Sequence, residues 1–425
     1  MATVDGSRYW HEASPGRRPT ASPAGWMMFL AGAGWALRAR GLVRPPSLQT
    51  DESRTASRLE LFFDLAFVLV VAELASGLRR DATVHGVLLF VGLFTVVWWA
   101  WMSATLYANR FDHDDVLFRL NKLSGMFAVI GLAAAASDAT GKYATQFVLC
   151  YVALRLLLLL QYARAYRHVE QARAGIGIYL GGTGAGAALW ALSLPFPGPA
   201  RYVLWAVGVL ADALGPLVVT AARVEVPLHL EHLPERFSLF VILVLGESVA
   251  AVAHGVHEAA WTSGAVLTGL VAFVMAAALW WSYFDLAGAA AKHLLDQAGG
   301  SRGTGAHDVY VFGQLPLCLA LAAVGAAVQG IVLAGTAPPS AVERGVLTGG
   351  VALYLVAVAV TNAGMARRVR SGWWWAAAAA GVAVADAIWT LPALAVVGIL
   401  AVLLVVVVIV GLEQGARGNV ELTPL

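Results

Sequence analysis

After a polar beginning, twelve stretches of nearly unbroken hydrophobicity follow one another, at about 59–78, 84–107, 123–137, 144–162, 176–194, 202–220, 237–255, 262–284, 309–332, 344–362, 374–390 and 392–410. Each ends in glycine, proline or charge. None alternates apolar and polar residues as a barrel strand does, and most approach the roughly 20 residues that a helix needs to cross a bilayer core. The pattern predicts an all-α fold: a polytopic integral membrane bundle of about twelve transmembrane helices. Run 123–137 is the shortest, and Pro392 divides the last two.

Composition strengthens this reading. Hydrophobic residues make up 59% of the chain and charged residues 13%, with a mean hydropathy of +0.72. A soluble domain carries about 25% charge, so this chain exposes more apolar surface than a water-soluble core can hide. Twelve spans of about 20 residues use about 240 of the 425 positions and leave only short loops, with no room for a soluble catalytic domain. The bilayer is therefore the first partner. A net charge of +2 gives no reason to expect nucleic-acid binding. Cys150 and Cys318 both lie in apolar runs, which excludes a disulfide framework or a cysteine metal site. The glycine-rich segment Gly299 to Gly305 lacks the Gly-Lys-Ser/Thr of a phosphate cradle, and no dinucleotide fingerprint occurs, so no cofactor is expected.

Residues 1–57 are rich in Pro, Arg and Ser and are expected to form a mostly disordered tail, in which Trp26 to Leu37 is too short to span and suits an interfacial segment. Met27 and Met28 offer alternative starts. Residues 58–222 would form one six-helix half, 235–410 a second, and 411–425 a short tail. Thirteen Lys and Arg, among them Arg110, Arg119, Lys122 and Arg164, fall in loops on the side of the N-terminus, against five on the other. That bias predicts both termini in the cytoplasm and a place in the bacterial cytoplasmic membrane. Trp98, Trp99, Trp101, Trp280, Trp281 and Trp373 to Trp375 fit interfacial belts. Arg58 to Phe62 resembles Arg236 to Phe240, and each is followed one helix later by a Trp-Trp pair, the mark of a parallel repeat.

Ionisable residues within spans are candidates for function, because a charge in lipid is costly. Arg58-Leu-Glu60-Leu-Phe-Phe-Asp64 opens the first helix and sets Glu60 and Asp64 on one face. Two carboxylates so close resist ionising together unless Arg58 or another cation offsets them. In the seventh helix Arg236, Leu243, Glu247 and His254 fall within about 20° of one line, with Glu247 about 16 Å along, near mid-membrane. Gly246 beside it would admit a neighbouring backbone. Arg155 in the fourth helix is the one deep cation and Asp212 in the sixth is similarly deep; Arg155 could pair with Glu247, Asp212 or Asp64, as structural glue or as counter-charge. Acids then outnumber the deep cation, which points to a proton or cation as ligand and away from anions. Gly177, Gly181, Gly182 and Gly186 have the spacing of close helix contacts. His229, Glu231, His232 and Glu235 form a loop cluster that suits interfacial pairing better than a metal.

Glu60-Leu-Phe-Phe-Asp64-Leu-Ala-Phe-Val, together with His232-Leu-Pro-Glu235-Arg236-Phe-Ser-Leu-Phe-Val-Ile-Leu-Val-Leu-Gly246-Glu247-Ser248, resembles the bacterial low temperature requirement protein A family, over about residues 54–410. The resemblance implies an all-helical multi-pass membrane protein connected with growth in the cold. It carries the first acidic motif onto Glu60 and Asp64, and the second motif onto His232, Glu235, Arg236, Gly246 and Glu247. Arg58 followed by Phe62-Phe63-Asp64 is also similar to the Arg-x-x-x-Phe-Ser-Asp opening of a family of organellar and bacterial potassium channels, but Phe63 replaces the serine and Ile242 stands where the second half would need an acid.

Two functions follow as expectations. The first is proton- or cation-coupled transport, with Glu60, Asp64, Asp212 and Glu247 as ion sites, Arg58, Arg155 and Arg236 as counter-charges, and His232, Glu235 and His254 as polar companions. The second is a membrane-embedded enzyme for a lipid or polyprenyl substrate, using the 229–235 loop and the run Asp112, His113, Asp114, Asp115 as acid/base or metal-binding groups. A non-catalytic role in cold adaptation is the third.

Overall fold

The computed structural model describes residues 42–48, 57–112, 114–224, 233–288, 303–366, 377–378, 380–382, 384 and 390–421. Among them, eleven helices are long and apolar enough to cross a membrane, and the chain is a multi-pass helical membrane protein. They are α1 (Arg58–Arg80), α2 (Val84–Arg110), α3 (Val116–Ala136), α4 (Ala144–His168), α5 (Arg173–Leu192), α6 (Pro199–Ala221), α7 (Leu233–Glu258), α8 (Ser263–Trp281), α9 (Gly303–Ala334), α10 (Ala341–Ala366) and α11 (Ala393–Glu421). They match eleven of the twelve apolar runs; the other, 374–390, falls mostly outside the described residues.

Local chemistry sets the helix starts. Ser57 and Glu60 close a capping box on α1, satisfying two of the backbone donors that a helix start leaves open. Thr83 caps α2 and Asp115 caps α3 in the same way. Gly198, at φ 65°, turns the chain into α6, whose first residue is Pro199. The Asp115 cap explains why run 123–137 looked short: α3 begins seven residues earlier, on a polar first turn and a half that includes Asn121 and Lys122.

α1 packs on α2 and α3, and α3 on α4; in the second half α7 packs on α8 and α9, and α9 on α10. α1 also touches α7 and α9. α9 and α2 are the most buried spans, at 72% and 61%. Apolar side chains such as Phe127, Leu88 and Leu270 lie exposed on the outside, as a lipid-facing band requires. α5 and α6 approach closely: a Cβ added at Gly186 would stand 2.7 Å from the Gly208 carbonyl oxygen, and one at Gly182 3.0 Å from that of Ala211. Gly181 and Gly246 face open space instead; at Glu247 the close approach comes from Gly325 of α9.

Within the stretch expected to be mostly disordered, residues 42–48 are docked. Ser47 and Leu48 (β1) pair antiparallel with Asp112 and Phe111 (β2, Phe111–Asp112), and the Val116 amide donates to the Leu42 carbonyl at 3.1 Å.

Candidate functional site

The first buried charge cluster joins the halves. Glu60, already fixed by the capping box through its Oε2, receives Arg236 Nη1 at 2.9 Å on the same oxygen. One turn deeper, Asp64 Oδ1 accepts from Trp101 Nε1 at 2.8 Å and from Arg236 Nη2 at 3.4 Å. All three charged residues are buried. Trp101 is held by α7, stacking on Phe240 at 4.2 Å and meeting Phe237 edge-on. Two carboxylates thus share one guanidinium, and the sharing is incomplete: Asp64 Oδ2 and Arg236 Nε are buried without a hydrogen-bond partner.

The second cluster lies within the first half. Arg155 Nη1 donates to Asp212 Oδ2 at 2.7 Å and to Ser103 Oγ at 2.7 Å. Asp212 also accepts from Trp99 Nε1 at 2.9 Å and, on its other oxygen, from the Thr183 hydroxyl at 2.6 Å. α2 therefore reaches both clusters, Trp99 holding Asp212 and Trp101 holding Asp64. The third pair is more open: Arg79 Nη1 lies 3.6 Å from Glu247 Oε1, with side-chain exposures of 23% and 12%.

Several expectations need correction. Arg155 is the partner of Asp212, not of Asp64 or Glu247; Arg236 serves Glu60 and Asp64, and Arg79 serves Glu247. Arg58 is exposed and does not join its helix-mates. The stripe on α7 leaves the core as it climbs, from buried Arg236 through half-buried Glu247 to exposed His254. Glu235 is exposed, and His232 lies outside the described residues, as do His229 and Glu231. Trp98, Trp99 and Trp101 are core residues rather than an interfacial belt, at 1%, 3% and 0% exposure, because two of the indoles are needed as donors to buried carboxylates. Trp280 and Trp281 are exposed.

Lys122, a loop charge by its place in the sequence, is buried in α3 with its Nζ 4.3 Å from the Phe63 ring centroid. Arg110, the last residue of α2, is buried against the Tyr179 ring. With Arg344, the described interior holds five buried cations (Arg110, Lys122, Arg155, Arg236, Arg344) against four buried acids (Glu60, Asp64, Asp115, Asp212). The expected acidic excess is not there.

The acidic run after α2 is taken up by structure. Asp114 makes a two-pronged pair with Arg119 at 2.8 Å. Asp115 accepts from the Phe118 amide at 2.8 Å and the Arg44 amide at 3.0 Å, and pairs with Arg164. Burial pushes the Asp115 carboxyl up, but Arg164 and the two amides outweigh it and hold the group below the ordinary carboxylate range. No group of three or more His, Cys, Asp or Glu fit to hold a metal occurs among the described residues.

A helical bundle with buried charges paired between its helices defines a class of multi-pass membrane protein with a polar interior. The chain belongs to the bacterial low temperature requirement A protein (LtrA) family, which it matches over residues 55–409. It is also similar to an uncharacterized protein of Rhizobium meliloti (strain 1021), 27% identical over 284 residues that cover 63% of this chain and 67% of the relative.

Proposed function

We propose that the bundle carries a proton or cation across the bacterial cytoplasmic membrane, with the Glu60, Asp64 and Arg236 cluster as its exchanging site and both termini in the cytoplasm. The carrying observation is that one buried guanidinium serves two buried carboxylates while Asp64 Oδ2 has no partner. Such a pair accepts one more positive charge at lower cost than a fully satisfied one, because adjacent carboxylates repel and a proton on Asp64 Oδ2 removes one of them. Loading Asp64 weakens its hold on Arg236. As Arg236 belongs to α7 and Asp64 to α1, that changes the contact between the halves and gives coupling a physical route.

Arg155 and Asp212, with every Asp212 oxygen occupied, serve as the fixed part of the first half. The Arg79 and Glu247 pair, partly exposed, is a second stage for the ion on the side where α1 ends. Loss of the protein would impair growth in the cold through the membrane gradient it serves.

The test is flux in proteoliposomes, reading internal pH and potassium after imposed gradients, for wild type, Asp64→Asn and Glu247→Gln. Transport that disappears in Asp64→Asn supports this assignment. Flux of wild-type size in a correctly folded Asp64→Asn protein, or none in wild type under any gradient, rejects it.

A further inference from the structure

Lys122 stands beside the acid cluster. Its side chain leaves α3 and is 2% exposed, with Nζ 4.3 Å from the Phe63 ring centroid and 5.6 Å from that of Phe118. Phe63 is the chain neighbour of Asp64, and its ring is also seated on Gly125, where an added Cβ would stand 3.0 Å from Phe63 Cε2. Lys122 and Gly125 lie three residues apart on one face of α3, so that face closes on α1 at the level of the acids. From there the ammonium acts electrostatically on Asp64.

Aromatic faces offset only part of the cost of burying a lysine charge, and nearby carboxylate charge supplies the rest. Among the described residues, Glu60, Asp64, Arg236 and Lys122 form a group of two negative and two positive charges, all buried. Such a group has no net charge with which to draw a metal ion out of water. Hard metal cations also gather about six oxygen ligands at once. Here, among the described residues, the buried carboxylate oxygen left without a partner is Asp64 Oδ2. Asp64 Oδ1 is taken by Trp101 and Arg236, and Glu60 Oε2 by Arg236 and the Ser57 amide. One open oxygen suits one proton.

Resting on the reading of this cluster as an exchanging site, we propose that Lys122 is its second counter-charge and makes it a site for a proton and not for a metal cation. Lys122 stabilises Asp64 as a carboxylate while the site is empty. When Asp64 takes the proton, the ammonium stays on the Phe63 and Phe118 faces as a fixed positive charge that keeps sodium or potassium from following. The charged groups facing Asp64 are Glu60 on its own helix, Arg236 from α7 and Lys122 from α3, with the Trp101 indole from α2. α9, also packed on α1, carries Asp308, which acts on Tyr179.

The experiment is thermal unfolding of the full chain in lipid nanodiscs at pH values from about 5 to about 8, below the ordinary lysine range. The proteins are wild type, Lys122→Met, Lys122→Arg, Asp64→Asn and the double variant of Lys122→Met with Asp64→Asn. A lost counter-charge matters where Asp64 is ionised and ceases to matter where it is protonated. The fall in midpoint caused by Lys122→Met is therefore expected to be roughly twice as large at the upper end of the range as at the lower. Lys122→Arg keeps the charge and is expected to show no such trend, and in the Asp64→Asn background the fall is expected to be the same at every pH. A fall that is the same at every pH with Asp64 in place, as lost packing alone would give, overturns the proposal. So does a trend that survives Asp64→Asn. Wild type is also unfolded in sodium, potassium and choline chloride of equal ionic strength, with equal midpoints expected; a saturable rise in sodium or potassium that Asp64→Asn removes puts a metal ion at the site and overturns the proton assignment. Should Lys122→Met fail to fold, Lys122→Gln takes its place, and the salt comparison needs no variant. Neither readout requires transport: absent flux with the pH trend present rejects the transport reading and leaves Lys122 as the counter-charge of Asp64.

Discussion

Arg236 Nη1 meets Glu60 Oε2 at 2.9 Å, and with that contact the first turn of α7 is anchored to the first turn of α1. The two arginines that look equivalent in sequence, Arg58 and Arg236, have therefore parted in role. The first is exposed; the second crosses to the other half and satisfies acids for which its own helix has no counterpart, Ser238 and Ile242 standing in the matching places.

Truncating Arg236 is accordingly expected to cost more than removing either acid. Arg236→Ala takes away the guanidinium paired with two buried carboxylates, a loss of about 3–5 kcal/mol for breaking a buried pair. Arg236→Lys keeps the charge but not the fork that reaches both Glu60 and Asp64, and is expected to recover only part. Thermal unfolding in detergent ranks them as wild type, Lys, then Ala. Equal midpoints for wild type and Arg236→Ala would show that the cluster contributes nothing to stability.

Arg155 and Asp212 form a network in which Asp212 has three partners, Arg155, Trp99 and Thr183. Asp212→Leu leaves the Arg155 charge unpaired in the core, whereas Asp212→Leu with Arg155→Met leaves no charge at all. The double variant is expected to be more stable than the single one, against simple addition. A chemical-denaturation cycle on the four proteins checks the sign of the coupling.

Much of this fold was legible in the sequence, because lipid enforces long continuous apolar runs. Eleven of the runs became helices, and Glu60, Asp64, Asp212, Arg155 and Arg236 stood out as charges inside them. The pairing was not legible. Arg155 could geometrically reach any deep acid, and the choice of Asp212 depends on how α4 packs near α6. Lys122 was missed because the polar start of α3 reads as loop. Trp99 and Trp101 were missed for another reason: a tryptophan at a membrane interface and one donating to a buried acid look alike until the helix's neighbours are known. The one available signal was their spacing, two residues apart on α2, with deep acids on other helices awaiting donors.

The glycines of α5 and α6 offer a paired test of helix packing. At Gly186 an added methyl meets the Gly208 backbone oxygen at 2.7 Å, and backbone cannot rotate away; at Gly181 it meets nothing within 4 Å. Gly186→Ala is therefore expected to destabilise the protein. Gly181→Ala is expected to be neutral, or to stabilise by up to about 1 kcal/mol through helix propensity. The two midpoints in one detergent are enough to compare; a similar fall in both would mean that α5 and α6 do not approach as described.

The docked segment 42–48 is expected to release in acid. Its Arg44 amide binds Asp115, which also caps α3 and pairs with Arg164. The folded Asp115 titrates below its unfolded value of about 3.9. The stabilisation is thus fully present above about pH 4 and is lost as pH falls through the lower folded value. Limited proteolysis within 42–48 should stay slow from neutral pH down to about 4 and accelerate below it. Asp115→Asn should cleave fast at every pH, since an amide keeps neither the ion pair nor the full set of acceptors. If wild type and Asp115→Asn were cut at equal rates at neutral pH, Asp115 would not be what holds the segment down.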